Sequence, residues 1–107
     1  MENTELIKLL NVELSVSINE NETYQQLHQH LAAYINTLIQ NDFNRLINYL
    51  YRIDVSEQKL NTLLHENKNE DAGNIIATLI IERQQQKIKI RRQHNQRNKP
   101  IDDDDKW

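Results

Sequence analysis

The sequence predicts an all-α protein: a small bundle of about four helices with an extended N-terminal arm and a disordered charged C-terminal tail. Its 107 residues include one Gly and one Pro, far fewer turn-forming residues than a β-rich domain needs. Apolar residues recur at three- and four-residue spacing, which places them on one face of a helix. Polar runs separate these segments and predict four helices, over 22–40, 42–52, 54–66 and 71–93.

The two central helices, 42–52 and 54–66, are the part around which we expect the chain to fold. In each helix the apolar residues share one face: Phe43, Leu46, Ile47 and Leu50, then Leu60, Leu63 and Leu64. Asp54 and Glu57 have the spacing of a capping box, so Asp54 is predicted to begin the second of these helices.

The flanking helices supply the rest of the predicted core. In the 22–40 helix, apolar and tyrosine side chains follow spacings of three and four and form one buried seam. In the last helix the apolar stripe fades after Ile81. We therefore expect the first half of the last helix to be buried and its second half to project. The predicted core consists of Leu27, Leu31, Ile35, Leu38, Phe43, Leu46, Ile47, Leu50, Leu60, Leu63, Leu64, Ile76, Leu79 and Ile80.

Residues 1–20 are predicted to form an N-terminal arm or strand. Apolar and polar residues alternate from Leu10 to Ile18, the pattern of a half-buried strand. A lone strand is unstable, so it would pair with a second copy of the chain or lie as an extended arm on the helices. Residues 3–10 also fit a short helix, with Leu6, Ile7 and Leu10 on one face.

Composition excludes several classes of protein. The chain has no Cys, which excludes disulfides, thiol catalysis and thiolate metal sites. The longest nearly apolar run, 75–81, is too short to cross a bilayer, so we expect no membrane partner. The N-terminal residues are acidic and polar, unlike a secretory signal. We expect a cytoplasmic protein.

Charge is divided unevenly along the chain. Residues 1–82 carry 12 acidic and 5 basic side chains, a net charge of −7. Residues 83–99 carry seven basic side chains and no acidic ones, and residues 100–107 contribute a net −3. This asymmetry is the most informative feature of the composition. The basic segment could contact an anionic partner, or it could be a solvated helix end neutralised by the four aspartates at 102–105.

The basic segment is the candidate nucleic-acid site. Seven cations in 17 residues could follow a phosphate backbone, with binding that weakens as salt rises. No aromatic residue lies between them to stack on bases, and the acidic body would repel nucleic acid. The candidate contacts are Arg83, Lys87, Lys89, Arg91, Arg92, Arg97 and Lys99.

The sequence favours no enzyme, no cofactor and no metal. His28 and His30 are two residues apart, so they point to different sides of a helix and cannot hold one metal together. The acidic residues near 66–71 lack the apolar surroundings that would shift a catalytic carboxyl group. A single glycine leaves no phosphate-binding loop.

Tyr49 and Tyr51 are the candidate interaction surface. Tyr49 lies off the apolar face of the 42–52 helix and Tyr51 lies at its edge, so both are predicted to be exposed. A 107-residue chain buries a modest fraction of its surface, which favours self-association or a protein partner.

Part of the chain resembles a group of short uncharacterised bacterial helical proteins. The resemblance covers about residues 41–92 and depends on 41–43, 50–57, 71–73 and 80–84. It implies a small helical cytosolic protein and, because the group has no assigned activity, no catalytic or binding residues.

Two functions remain open at this point. The first is a small non-enzymatic helical protein–protein interaction or scaffolding protein, as a homodimer and of unknown process. The alternative is a nucleic-acid-binding accessory protein that uses residues 83–99. The predicted organisation is an arm or strand at 1–20, a helical domain at 21–93 and a disordered charged tail at 94–107.

Overall fold

The protein folds as an all-α bundle in the computed structural model, which describes residues 3–104 and the side chains of residues 3–93. Five helices follow one another in the described chain, one more than the sequence predicted. They are α1 (Thr4–Leu14), α2 (Tyr24–Asn41), α3 (Phe43–Ile53), α4 (Glu57–Glu66) and α5 (Ala72–Asp104).

The first helix corrects the prediction of a strand or extended arm for residues 1–20. In α1 the residues Leu10 and Leu14 lie one turn apart on the buried face, while Val12 between them is 73% exposed. The helix ends at Ser15, whose left-handed backbone (φ 56°) turns the chain. The apolar residues of the alternating pattern therefore belong to two different structures. Leu10 and Leu14 lie in α1, and the apolar residues at 16 and 18 lie in the non-helical segment beyond it. Residues 1 and 2 lie outside the described residues.

Side chains stabilise the connection from α1 to α2. The amide of Asn11 donates to the Ile18 carbonyl (3.0 Å) and accepts from the Ile18 backbone N–H (2.9 Å). The hydroxyl of Thr23 accepts from the Gln26 backbone N–H, and the Gln26 side chain accepts in return from Thr23. This reciprocal capping satisfies two N–H groups at the start of α2.

The last helix, α5, contacts each of the other four helices. The core forms around residues 73–88 of that helix, against buried side chains of α1, α2 and α3. The side chains that are completely buried come from four helices: Ile7, Leu10, Leu14, Leu27, Leu31, Ile35, Leu46, Ile53, Ile80, Ile81 and Gln84.

The closest approach within the bundle is between α2 and α5. Gly73 lies at the start of α5, and Ala32 of α2 and Ala77 of α5 are both buried. Small side chains let two helix backbones approach closely, because little side-chain volume separates them. The aspartate before this helix, Asp71, accepts hydrogen bonds from the Asn74 backbone N–H (3.2 Å) and the Asn36 amide (2.8 Å).

Most of the predicted core is buried, and the exceptions lie together. Phe43 is 54% exposed, so its assignment to the core was wrong. Ile47, Leu60, Leu63 and Leu64 are only partly buried. These five residues come from α3 and α4, where no further helix covers the apolar faces. The remaining predicted residues are buried: Leu27, Leu31, Ile35, Leu38, Leu46, Leu50, Ile76, Leu79 and Ile80.

One polar side chain lies in the core. Gln84 of α5 is completely buried between the buried residues Ile81 and Ile88. Neither its amide nitrogen nor its amide oxygen has a hydrogen-bond partner among the described residues. An unpaired buried amide lowers stability, because it loses its hydrogen bonds to water on folding.

The C-terminal part of α5 is described only by its backbone. Its backbone is helical to Asp104, while the side chains of 94–104 and all of residues 105–107 lie outside the described residues. The predicted disorder of 94–107 therefore stays a prediction. In the part of the chain that the structure describes, no helix has both the length and the apolarity to cross a membrane.

Candidate functional site

A sharp turn joins α3 to α4. The backbone N–H groups of Asp54 and Val55 both donate to the Leu50 carbonyl, at 2.9 and 3.1 Å. Asp54 takes a left-handed conformation (φ 70°), which Asp tolerates better than most residues. Ser56 then begins α4, because its hydroxyl accepts from the Lys59 backbone N–H (3.2 Å). Three residues thus connect the two helices.

This turn corrects the predicted capping box. Asp54 closes α3 instead of opening α4, and its carboxylate lies 3.1 Å from the guanidinium of Arg83 on α5. The cap of α4 is Ser56 two residues later. The sequence pattern was ambiguous because Asp is favourable both before a helix and in the left-handed residue after one.

The turn leaves an apolar groove between α3 and α4, which we call the α3–α4 groove. It has a volume of about 230 Å³. Glu57 is its only charged residue within the described chain. The groove is lined by Phe43, Leu46, Ile47, Leu50, Tyr51, Val55, Glu57, Leu60, Asn61, Leu64 and Ile76.

The α4 wall of the groove is thinly covered. None of the ten residues of α4 is buried, although Leu60, Leu63 and Leu64 form an apolar stripe along it. Two large aromatic side chains flank the groove on α3: Phe43 is 54% exposed and Tyr51 is 74% exposed. An exposed apolar patch of this kind is typical of an interaction site.

Two ion pairs attach α4 and the turn before it to α5. Lys59 of α4 lies 3.6 Å from Glu82, and Asp54 lies 3.1 Å from Arg83. These pairs are partly solvent-exposed and contribute little stability each. They line a separate, more polar cleft with Val55 and Gln86. These two ion pairs therefore lie in the polar cleft beside α5, and the α3–α4 groove remains apolar.

The two tyrosines of the predicted interaction surface have different surroundings. Tyr51 is exposed beside the groove, as predicted. Tyr49 is 7% exposed, so its assignment to an exposed surface was wrong. It lies three residues after Leu46 and four before Ile53, both buried, and it therefore faces the core. Tyr34 packs nearby, and burial raises the pKa of Tyr34, with a further contribution from Tyr49.

The predicted basic segment does not form a single patch. Arg83 pairs with Asp54, and Arg92 pairs with Glu5 of α1. Residues four apart lie in one row along a helix, so Arg83, Lys87 and Arg91 follow one side of the buried positions 84 and 88. Arg92 and Lys89 lie on the opposite side. The side chains of Arg97 and Lys99 lie outside the described residues.

Two of the four histidines, His28 and His30, make ordinary polar contacts. The ring of His28 lies 2.8 Å from the Thr78 hydroxyl, and His30 lies 2.8 Å from the Glu22 carboxylate. Among the residues that the structure describes, no three His, Asp or Glu side chains are grouped as a metal site.

No protein-family model matches the chain, and no curated protein or solved structure matches it either. The resemblance over residues 41–92 therefore stays an expectation. Function has to be argued from the groove, the exposed aromatic residues and the distribution of charge.

The groove is the feature that sequence reasoning missed as a site. Its leucines were recognised as an apolar stripe, and Phe43 was recognised as part of an apolar face, but all were assigned to the core. A stripe in the sequence indicates an apolar face and does not reveal what covers it. Only the packing of α3 and α4 on α5 leaves this face open.

Proposed function

We propose that the protein is a small non-enzymatic helical protein–protein interaction protein and that the α3–α4 groove is its binding surface. The observation that carries this proposal is α4 itself: a helix with three leucines and no buried residue, next to two exposed aromatic side chains. Leaving such a face in water is costly, at about 25 cal/mol for each Å² of apolar surface. A partner that covers it recovers this free energy.

The chemistry of the groove indicates a helical partner with apolar side chains. Helix-in-groove recognition uses apolar residues spaced by three or four positions. The walls of the α3–α4 groove are leucine, isoleucine and aromatic side chains, which suit such residues. Exposed tyrosine is also a common anchor at interfaces, since its ring is large and its hydroxyl stays hydrated.

Site-specific photo-crosslinking in cells tests the proposal. A photoreactive phenylalanine analogue is placed at Tyr51 in one version of the chain and at Val12 in another. Val12 is the matched control because it is equally exposed, at 73%, but lies on α1 outside the groove. We expect discrete crosslinked species from position 51 and none of the same mass from position 12.

Two results would contradict the proposal. Position 51 could give no crosslinked species, or both positions could give the same species at the same yield. Either outcome would mean that the groove is not a preferred contact surface.

A further inference from the structure

We infer that the partner in the α3–α4 groove is the segment of α5 around Ile90, residues 87–91, from a second copy of this chain, in a reciprocal two-fold dimer. This inference rests on the proposed function of the groove. It connects two features that the bundle leaves without partners: an apolar groove with one acidic residue, and an exposed basic surface around Ile90.

The surface around Ile90 has the chemistry that the groove requires. Ile90 is 56% exposed on α5, beyond the part covered by α4. Lys87 lies one turn before it on the same side of α5, and Arg91 continues the row of Lys87. Within residues 3–93 neither of these two cations forms an ion pair. An exposed apolar side chain with two such cations beside it suits an apolar site near a carboxylate.

The groove supplies that carboxylate at one end. Glu57 lines the groove close to the turn between α3 and α4, as does the exposed Tyr51. A Lys or Arg side chain there can interact with the carboxylate and with the face of the tyrosine ring. The residues around this carboxylate are also negatively charged overall, because residues 54–71 hold five acidic and two basic side chains.

The charges of the body and of the segment around Ile90 are also complementary. Residues 1–82 carry a net −7, residues 83–99 a net +7 and residues 100–107 a net −3. When the segment around Ile90 from one copy meets the acidic body of another, opposite charges are brought together in both directions. The contact is isologous, so a two-fold axis closes the dimer and no open chain of subunits forms.

The geometry of α5 is compatible with this exchange. Ile76 lines the groove, and Ile90 follows it by 14 residues. This separation is close to four helical turns, so the two residues lie on nearly the same side of α5, about 21 Å apart. In an antiparallel pair of copies, a two-fold axis between these positions brings each Ile90 to the level of the other copy's groove. The two-fold axis also repeats the contact, so the dimer contains two small grooves, each filled by the other copy.

A charge-swap experiment tests the inference. One variant carries Lys87→Glu and Arg91→Glu, and the other carries Glu57→Lys. Each variant alone places like charges at the contact and should bind itself at least tenfold more weakly than the wild type. In an equimolar mixture both contacts are complementary again, so the mixture should recover the dimer.

Light-scattering mass on a sizing column and sedimentation give the readout. The wild-type full chain should have twice the 12.8 kDa mass of one chain. Lys8→Glu is the matched control, because Lys8 is exposed on α1 away from the groove, and it should remain dimeric. Tyr51→Ala, which removes a groove contact without a charge change, should also weaken the dimer. Helix content by circular dichroism verifies that each variant is folded.

The outcomes separate this inference from the proposed function. A monomeric wild type, or a mixture that fails to recover the dimer while each variant is folded, would overturn the inference. If position 51 then crosslinks to a different protein, the groove is still an interaction surface and the proposed function stands. If position 51 crosslinks to nothing, both proposals are wrong.

Discussion

Gly73 at the start of α5 lies directly against the backbone of Ala32 on α2. A Cβ atom at position 73 would stand 2.6 Å from the Ala32 carbonyl oxygen and 2.6 Å from the side chain of Asn36. The one glycine of this chain therefore has a packing role, since it lets α2 and α5 approach until one backbone contacts the other. A flexible side chain could move away from a new methyl group, but the Ala32 carbonyl is held in its helix.

Gly73→Ala should therefore destabilise the protein. In an exposed helix the same change gains about 1 kcal/mol, whereas added volume in a packed contact costs about 1–3 kcal/mol. We expect a net loss in the free energy of unfolding, measured by urea titration. The control is Ala33→Gly on the exposed side of α2, which should cost about 1 kcal/mol. A stabilised Gly73→Ala variant would show that the contact can relax.

Gln84→Met should stabilise the protein. The Gln84 amide is buried without a partner among the described residues, and methionine has a similar length without its polar atoms. Removing an unpaired buried amide should raise the free energy of unfolding by about 1–2 kcal/mol. Gln85→Met, on the exposed side of α5, is the control and should change stability by less than about 0.5 kcal/mol. If Gln84→Met destabilises the chain instead, the amide is hydrogen-bonded to buried water.

Ser15→Gly should stabilise the junction after α1. Ser15 has a φ of 56°, a conformation that costs an ordinary residue about 1–2 kcal/mol. Glycine removes this cost but loses more freedom on folding, by about 0.5–1 kcal/mol. The expected net gain is therefore at most about 1.5 kcal/mol. Ser17→Gly, where φ is negative, should give no gain, and an equal gain at both positions would refute the argument.

Stability should fall at alkaline pH because of Tyr34. Burial raises the pKa of Tyr34 above its ordinary value of 10.0. A pKa raised in the folded state contributes stability that is fully present below the unfolded pKa and is lost as pH rises through the folded pKa. Tyr34→Phe should thus reduce the loss of stability above pH 10, as followed by thermal unfolding in a series of buffers. An unchanged alkaline loss in Tyr34→Phe would exclude this residue as its source.

The basic segment should bind duplex DNA weakly or not at all at moderate salt. Two of its arginines are paired within the bundle, and the free cations lie on both sides of the buried stripe. We expect the full chain and the variant with Lys87, Lys89 and Arg91 changed to Gln to elute separately from a short duplex. A wild-type complex that disappears with rising salt, and that the variant does not form, would favour the nucleic-acid alternative.

The buried face of α2 illustrates what the sequence could predict. Leu27, Leu31, Ile35 and Leu38 are all buried, in agreement with the seam at spacings of three and four. The predictions for this helix and for the first half of α5 were confirmed because each helix has one apolar face and a neighbour that covers it completely. Under that condition, helical periodicity is sufficient to predict which residues are buried.

The N-terminal helix illustrates why alternation alone was misleading. The apolar residues at 10, 14, 16 and 18 are at least partly buried, but they belong to a helix and to a separate connecting segment. The left-handed Ser15 divides the two. Nothing in the side chain of serine predicts a positive φ. The end of α1 at Leu14, and the change from helical to non-helical backbone after it, could therefore not be predicted.

The candidate site was only partly predictable because it depends on what surrounds a face. Tyr51 was correctly predicted to be exposed, whereas Tyr49 was not recognised as part of the buried face that extends to Ile53. Phe43 has the right spacing for the core and is nevertheless exposed. Spacing defines which residues share a face, but the angle at which α4 leaves the turn at Asp54 decides which of them is covered.

The position of α5 in the chain has a consequence for biosynthesis. The helix that contacts all the others is synthesised after them, so α1 to α4 are complete before their common partner exists. At about 5–20 residues per second, synthesis of its 33 residues takes roughly 2–7 s. During that interval the apolar faces of α1 to α4 lack the cover that α5 provides. Folding of the bundle must then wait for α5, and a ribosome that stalls within α5 leaves a chain that chaperones and proteases can recognise.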